Sequence, residues 1–268
     1  MPERLDVAGG CVMITGAAGG IGRALARRFS IAGARVALLD RDEHGLHQLA
    51  RRLGAIGVEP ISMRCDVTSL DDCSAAVDRV VAAWGRVDVV VNNAGITHIS
   101  PFADTDLDVL RRVMDVNFFG AVTMTRAALP RLVERHGQIV VMSSVAGFAP
   151  LALRTGYAAS KHALHGCFES LRAELRGTGV GVTLVCPSFV RTAIGDHALG
   201  AHGDAPTHPR VETGTAADPA DLADTVFEAT VRRRRLVVHS RTAKLAYLLS
   251  RAWPPGYERM MARRVSPP

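Results

Sequence analysis

Aromatic residues are scarce, about 5% of the 268 residues. Without aromatics interleaved among basic side chains there is no stacking platform for single-stranded nucleic acid, and no recognisable nucleic-acid module is present. Charge of one sign is barely in surplus: 32 Lys and Arg face 26 Asp and Glu, a net +6. That balance does not by itself mark a nucleic-acid binder. The five cysteines (Cys11, Cys65, Cys73, Cys167, Cys186) are scattered, with no CxxC pair and no Cys/His cluster at zinc spacing. This usage excludes a disulfide framework and suits a reducing, cytoplasmic setting. No stretch of about 18 apolar residues runs without charge, so a spanning helix is excluded. Met1–Gly10 lacks the long apolar segment of a signal peptide. What is present is ordinary for a globular protein: 48% hydrophobic and 22% charged residues.

Short apolar runs alternate with stretches of helical periodicity. The runs are Gly10–Thr15, Arg35–Asp40, Glu59–Cys65, Val87–Asn92, Gln138–Ser143, Val180–Cys186 and Arg235–His239. Between them, helices are predicted over Ile21–Ala32, Glu43–Leu53, Leu70–Trp84, Asp106–His136, Gly156–Arg176 and Pro219–Arg232. Apolar strands separated by helices of ten or more residues imply βαβ units and a parallel sheet. No break in composition divides them. The predicted class is α/β, a single doubly wound Rossmann-type domain over residues 1–240, with 241–268 a helical extension of it.

A glycine cluster, Thr15-Gly16-Ala17-Ala18-Gly19-Gly20-Ile21-Gly22, follows the first strand and opens the first helix. Glycines let the backbone turn tightly and approach a ligand closely, and the helix start offers N–H groups to a pyrophosphate. The spacing departs from GxGxxG because Ala18 takes the middle position. Asp40 ends the second strand, where a carboxylate accepts hydrogen bonds from ribose hydroxyls and repels a 2′-phosphate. NAD is therefore favoured over NADP, although the adjacent Arg41 would hold such a phosphate.

Tyr157 and Lys161 lie four residues apart, on one face of a predicted helix. An ammonium beside a phenol favours the phenolate, which makes a usable general acid/base. Ser144 stands thirteen residues before Tyr157, just past the fifth strand, at the sheet edge where ligands bind. A YxxxK pair alone is weak, since any long helix can carry one.

Taken together, these motifs resemble the short-chain dehydrogenases/reductases over about residues 8–240. TGAAGGIG at 15–22 is similar to the family's TGxxxGxG. Asp66-Val67 matches the pair that meets adenine, and Asn92-Asn93-Ala94-Gly95 its NNAG segment. Asn117 matches the active-site asparagine, and Ser144, Tyr157 and Lys161 the catalytic serine, tyrosine and lysine. Pro187–Thr192 (PSFVRT) is similar to PGxVxT near the nicotinamide, with Ser188 where glycine is usual.

The resemblance implies an oxidoreductase. Tyr157 exchanges the proton of an alcohol or carbonyl, Lys161 tunes it and meets the nicotinamide ribose, and Ser144 orients the substrate oxygen. Asn117 would hold a water relay. Gly16, Gly20, Ile21, Gly22, Asp40, Arg41, Asp66, Val67, Asn93, Ala94, Gly95, Pro187, Val190 and Thr192 would contact the cofactor. It also implies a homodimer or homotetramer joined through helices at 106–136 and 156–176. Three other readings stand beside it: a regulatory protein that binds dinucleotide without turnover, an NADPH-dependent carbonyl reductase, and a nucleic-acid binder using the basic tail.

Residues 189–215 carry several glycines, prolines and histidines after Thr192, as a lid over the pocket would. Its three histidines (His197, His202, His208) read as solvated, so no metal is expected. Phe148, Leu151, Leu153 and Phe189 would line the substrate pocket with Ser144, which suggests an apolar alcohol or ketone. Arg232–Arg235 reads as a solvated helix end. The family pattern leaves the C-terminus unexplained. Thr242–Trp253 is apolar and helical, Pro254-Pro255-Gly256 breaks it, and Tyr257–Arg264 forms a short basic helix. Such a tail suits an anionic membrane surface, a subunit interface or closure over the site, with packing favoured over membrane contact.

Overall fold

All seven short apolar runs form strands, because side chains that are apolar on both faces are buried between two helix layers. The computed structural model describes residues 4–208 and 215–262. The strands are β1 (Cys11–Thr15), β2 (Arg35–Asp40), β3 (Ile61–Arg64), β4 (Val89–Asn92), β5 (Gln138–Met142), β6 (Gly181–Cys186) and β7 (Leu236–Val238). They make one sheet in the order β3-β2-β1-β4-β5-β6-β7. Every pairing is parallel, with Val12 aligned between Val36 of β2 and Val89 of β4. The order reverses between β1 and β4, and the crevice beyond their carboxyl ends is where open α/β sheets hold ligands.

The helices are α1 (Gly20–Ile31), α2 (Glu43–Gly54), α3 (Leu70–Trp84), α4 (Leu107–Met114), α5 (Gly120–Glu134), α6 (Thr155–Glu174) and α7 (Pro219–Val231). One sheet face sends Val12, Ile14, Val36 and Leu38 against Leu25 and Phe29 of α1, Leu49 of α2 and Val226 of α7. The other sends Met13, Ala37, Leu39 and Val90 against Val80 of α3, Met124 of α5 and Phe168 of α6. This split is the period-2 alternation of strand side chains. Side-chain caps start several helices where the chain carries Asp or Ser: Asp42 accepts from Gly45 N, Ser69 from Asp72 N and Asp218 from Ala220 N.

At the amino edge of the sheet, buried Asp88 ties three segments together. It accepts from Cys11 N (2.8 Å) and from Arg86 (2.7 and 2.6 Å), and lies 3.5 Å from Arg135. Burial pushes its carboxyl up, but the hydrogen bonds from Arg86 and Cys11 outweigh burial and hold it below the usual range. Within the Arg232–Arg235 run, Arg233 is not merely solvated. It donates to the carbonyls of His136, Gly137 and Gly179, just before β5 and β6.

Two features differ from the sequence expectation. The long helix predicted over 106–136 is interrupted: a π-helical turn, Asp115–Phe119, separates α4 from α5. At the C-terminus, α8 (Arg241–Ala252) is followed at once by α9 (Pro254–Ala262). The expected break falls at Trp253, and Pro254 and Pro255 then open α9 ahead of its expected start at Tyr257, because a first helical turn leaves its N–H groups unpaired and proline lacks one. Arg263 and Arg264 lie outside the described residues. Tyr257 and Met261 of α9 pack with Ala149 in a small third apolar cluster.

Candidate active site

The first turn of α1 faces a cleft of about 760 Å³ at the carboxyl ends of β1, β2 and β4. Its N-cap, Gly19, supplies no side-chain hydrogen bond, so the leading N–H groups are left for a ligand. Gly16 has φ +64°, and a Cβ there would lie 2.8 Å from Ala94 Cα. At Gly22 a Cβ would lie 2.1 Å from Gly16 O, so only glycine lets α1 close against the loop. Asn93 locks that loop to β4, donating from Nδ2 to Thr15 O (2.9 Å) and Gly16 O (3.0 Å). Thr15 Oγ1 accepts from Asn93 N and Ala94 N in return.

Gly16, Gly20, Ile21, Gly22, Asn93, Ala94, Gly95 and Thr192 all border this cleft, as do Asp40, Arg41, Asp66 and Val67 at its far end. Asp40 is held in place by Ala18 N (2.9 Å) and Asp42 N (3.1 Å), each donating to one carboxylate oxygen. Arg41 leans across to Asp66 at 3.8 Å. Partial burial pushes the Asp66 carboxyl up, but hydrogen bonds from Thr68 and the guanidiniums of Arg41 and Arg64 bring it below its ordinary value. Arg23 and His197 also line the cleft; His197 is one of the lid histidines read as solvated, and Arg23 is not singled out by the sequence. Arg23 follows the glycine motif by one residue, and that adjacency was the available signal.

A second cavity of about 260 Å³ adjoins the first. Ile21, Asn93, Gly95, Thr192 and Ile194 border both. Ser144, Tyr157 and Lys161 open onto it together, with Pro187 and Val190. Ser144 follows β5 and accepts from Ala146 N at 3.2 Å. Tyr157 and Lys161 share one face of α6, the Lys161 Nζ 5.6 Å from the Tyr157 ring centroid. Lys161 is buried and donates to Met142 O (2.8 Å); burial draws its ammonium down to about 8. His98, buried beneath this helix, accepts from Gly156 N (3.0 Å), one residue before Tyr157. Burial, and then the Arg154 charge, lower its titration, which keeps the ring neutral and able to accept.

Asn117 sits in the π-helical turn and is buried. Its Oδ1 accepts from Ile96 N (2.8 Å), and its Nδ2 donates to Ile96 O (3.0 Å) and Ser160 Oγ (2.9 Å). The amide expected to hold a water relay thus clamps the segment behind Gly95 and ties it to α6.

Of the residues expected around the substrate, Ser144, Leu151 and Phe189 line the cavity, whereas Phe148 and Leu153 do not. Phe148 is half-buried against the Ala149–Tyr257–Met261 cluster and packs edge-on against Tyr247 of α8, ring centroids 4.9 Å apart. Leu153 takes a left-handed backbone (φ 62°), and its carbonyl accepts from Ser100 N. The wall is completed instead by α8 and α9, through Ala246, Leu249, Tyr257 and Met261. Buried Arg154 is a further lining residue the sequence left unmarked.

The lid expected over 189–215 is stitched down in its described part. Leu199 N donates to Thr97 O (2.9 Å), Ile99 N to Leu199 O (2.8 Å) and Asp106 N to Ala201 O (2.9 Å). Residues 209–214 lie outside the described residues. His202 pairs with Asp106 at 3.0 Å and His208 with Thr207 at 3.2 Å. Among the described residues no group of three or more metal-ligating side chains comes together, and no helix is long and apolar enough to cross a membrane.

Comparison with known proteins agrees with this architecture. Residues 10–200 match the family model of the short chain dehydrogenases. A "Dehydrogenase/reductase SDR family member 7B" of Danio rerio is 38% identical over 263 residues, 95% of this chain and 85% of that protein. A "Dehydrogenase/reductase SDR family protein 7-like" of Drosophila melanogaster is 35% identical, over 98% of this chain and 82% of that one. A crystal structure of a short chain dehydrogenase/reductase from Burkholderia phymatum, in complex with NAD, superimposes with a TM-score of 0.82 at 28% identity. It covers 94% of this chain and 96% of that one.

Proposed function

The chain belongs to the short-chain dehydrogenase/reductase family of oxidoreductases, and from that premise we propose that it interconverts an alcohol and a carbonyl on a small apolar substrate, with NAD as hydride partner. The observation that carries the reading is the single cavity onto which Ser144, Tyr157 and Lys161 open, continuous with the glycine-walled cleft. The cleft residues fit a dinucleotide: glycine at 16 and 22, where a Cβ would collide with backbone, lets the loop and α1 close into a cradle, and the start of α1 suits a pyrophosphate. When bound, the nicotinamide supplies the hydride exchange.

The side chains do the rest. Tyr157 takes the proton from the substrate hydroxyl in oxidation and returns it in reduction. The Lys161 ammonium, close to the Tyr157 ring, favours the phenolate. Ser144 donates to the substrate oxygen and stabilises charge that develops there. Asn117, through Ile96, acts as a positioning residue for the wall at Gly95. The many apolar residues around the cavity, from Leu151 and Phe189 to Met261, suit a substrate with an apolar body. Asp40 and the Arg41–Asp66 pair support NAD, since the nearest guanidinium already faces a carboxylate. Arg23 on the cleft wall favours the second reading, NADPH-linked carbonyl reduction. Self-association through the α4–α5 and α6 sides is part of the proposal, and exposed Leu107 and Phe119 support the first of these.

The test is a nicotinamide-fluorescence titration with NADH and with NADPH, run beside turnover on a panel of apolar alcohols and ketones. Tyr157→Phe is expected to lower turnover by about 10²–10⁴-fold with NADH affinity unchanged. Undiminished turnover in that variant overturns the assignment, and tighter NADPH binding transfers it to the second reading.

A further inference from the structure

We propose that the outer face of α8 and α9 docks onto an anionic lipid bilayer, lying on it rather than crossing it. Arg241, Lys244, Leu245, Leu248, Arg251 and Ala252 form one exposed helical stripe on α8, with Thr242 exposed beside it. Leu245 and Leu248 are 57% and 63% exposed, and Trp253 at the turn into α9 is 60% exposed. Large apolar side chains held in water in this number call for a cover.

Their charged neighbours say which cover. Arg241, Lys244, Arg251 and Arg259 are all exposed, and Glu258 is the single acidic residue of residues 241–262. Leucines and a tryptophan bordered by cations are the composition of an interfacial helix on anionic headgroups. A second copy of the chain fits worse. A two-fold contact sets the same patch against itself, and here it would oppose cations to cations.

The interior leads to the same surface. Leu245 and Met260 belong to the cavity wall and are themselves exposed. Leu245 and Met260 therefore join the cavity lining to the exposed stripe. The opposite side of α8, at Ala243, Ala246 and Leu249, faces inward, so the helix is anchored while its outer face stays available. A bilayer against this face would lie directly over the cavity mouth.

Co-sedimentation of the full chain with phosphatidylcholine vesicles, with and without about a third phosphatidylglycerol, tests the proposal. Trp253 gives a second readout: only two tryptophans are present, so in a Trp84→Phe variant its emission reports this face alone. Binding to the anionic vesicles, a blue shift of Trp253 and a loss of binding in pure phosphatidylcholine are expected. Neutralising Lys244 or Arg251 should weaken binding about fivefold each, and Leu248→Glu by at least about tenfold. Leu248 lies outside the cavity wall, so NADH binding measured in parallel should not change and reports a folded chain. Three outcomes overturn the proposal: no association with anionic vesicles, association that Leu248→Glu leaves intact, or a dimer that Leu248→Glu dissociates while vesicles are ignored. Failure of the enzyme reading would register separately, as absence of dinucleotide binding or turnover.

Discussion

Lys161→Met should make the protein more stable and inactive at once. The Lys161 ammonium is buried and titrates at about 8 instead of 10.5. At about 1.36 kcal/mol per pH unit, holding it charged at neutral pH costs about 3 kcal/mol of folding free energy. The sign follows from proton counts. Between about 8 and 10.5 the unfolded chain keeps its proton while the folded chain has released it, so stability from this group rises with pH across that window. Methionine matches lysine in length without the charge. It leaves the Met142 carbonyl, now a 2.8 Å acceptor, without its donor, an offset of about 1–2 kcal/mol. The net expectation near pH 7 is a gain of about 1–2 kcal/mol. The constant offset cancels when the two proteins are compared at two pH values. The gap between variant and wild type should move against the variant by about 2 kcal/mol from about pH 7 to about pH 9.5. Reversible urea unfolding of both proteins at both pH values, without dinucleotide, measures it. A gap that stays constant or widens with pH would refute the claim that this buried charge is held against its own solvation.

Gly22→Ala places a Cβ 2.1 Å from Gly16 O and 2.7 Å from Ala17 Cα, backbone atoms that cannot rotate away. It should cost about 1–3 kcal/mol in urea unfolding and weaken NADH binding in a fluorescence titration; unchanged values in both would show that the loop relaxes freely. Asp88→Asn should lower stability at neutral pH by about 2–3 kcal/mol, since Arg86 and Arg135 lose their shared carboxylate. Because the folded Asp88 carboxyl lies below its unfolded value of 3.8, its contribution is present above that pH and lost as pH falls through the folded value. Acid titration followed by circular dichroism should therefore show a shallower loss in the variant, and parallel acid limbs would count against the brace.

The strands were legible because Val, Leu and Ile runs such as Arg35–Asp40 leave little choice once helices of ten or more residues separate them. The cleft was legible for a related reason: Gly22 answers a steric demand made by Gly16 and Ala17, a few residues away, and Gly16 serves the left-handed backbone of a tight turn. Placement across long sequence distances was not. Phe148 looked like pocket lining until Tyr247, 99 residues later, gave it a better partner. α8 and α9 were recognisable as helices, but their seat over Ala149 depends on Tyr257 and Met261 meeting a loop far away in the chain. Arg154 reads as an ordinary polar residue before a helix, yet it is buried on the cavity wall.

The π-helical turn at Asp115–Phe119 makes the site depend on a count of residues as well as on their kinds. An α-helix advances about 100° per residue, so removing one residue between α4 and α5 would rotate one half against the other by that angle. Val109 and Val113 on one side, and Met124, Ala128 and Leu132 on the other, could then not all stay buried, and Asn117 would swing away from Ile96. A substitution at Asp115 or Phe119 alters one side chain, whereas a deletion there rephases a helix that runs the depth of the domain. Tolerance to length change, which surface loops grant freely, is withheld at this point inside a helix.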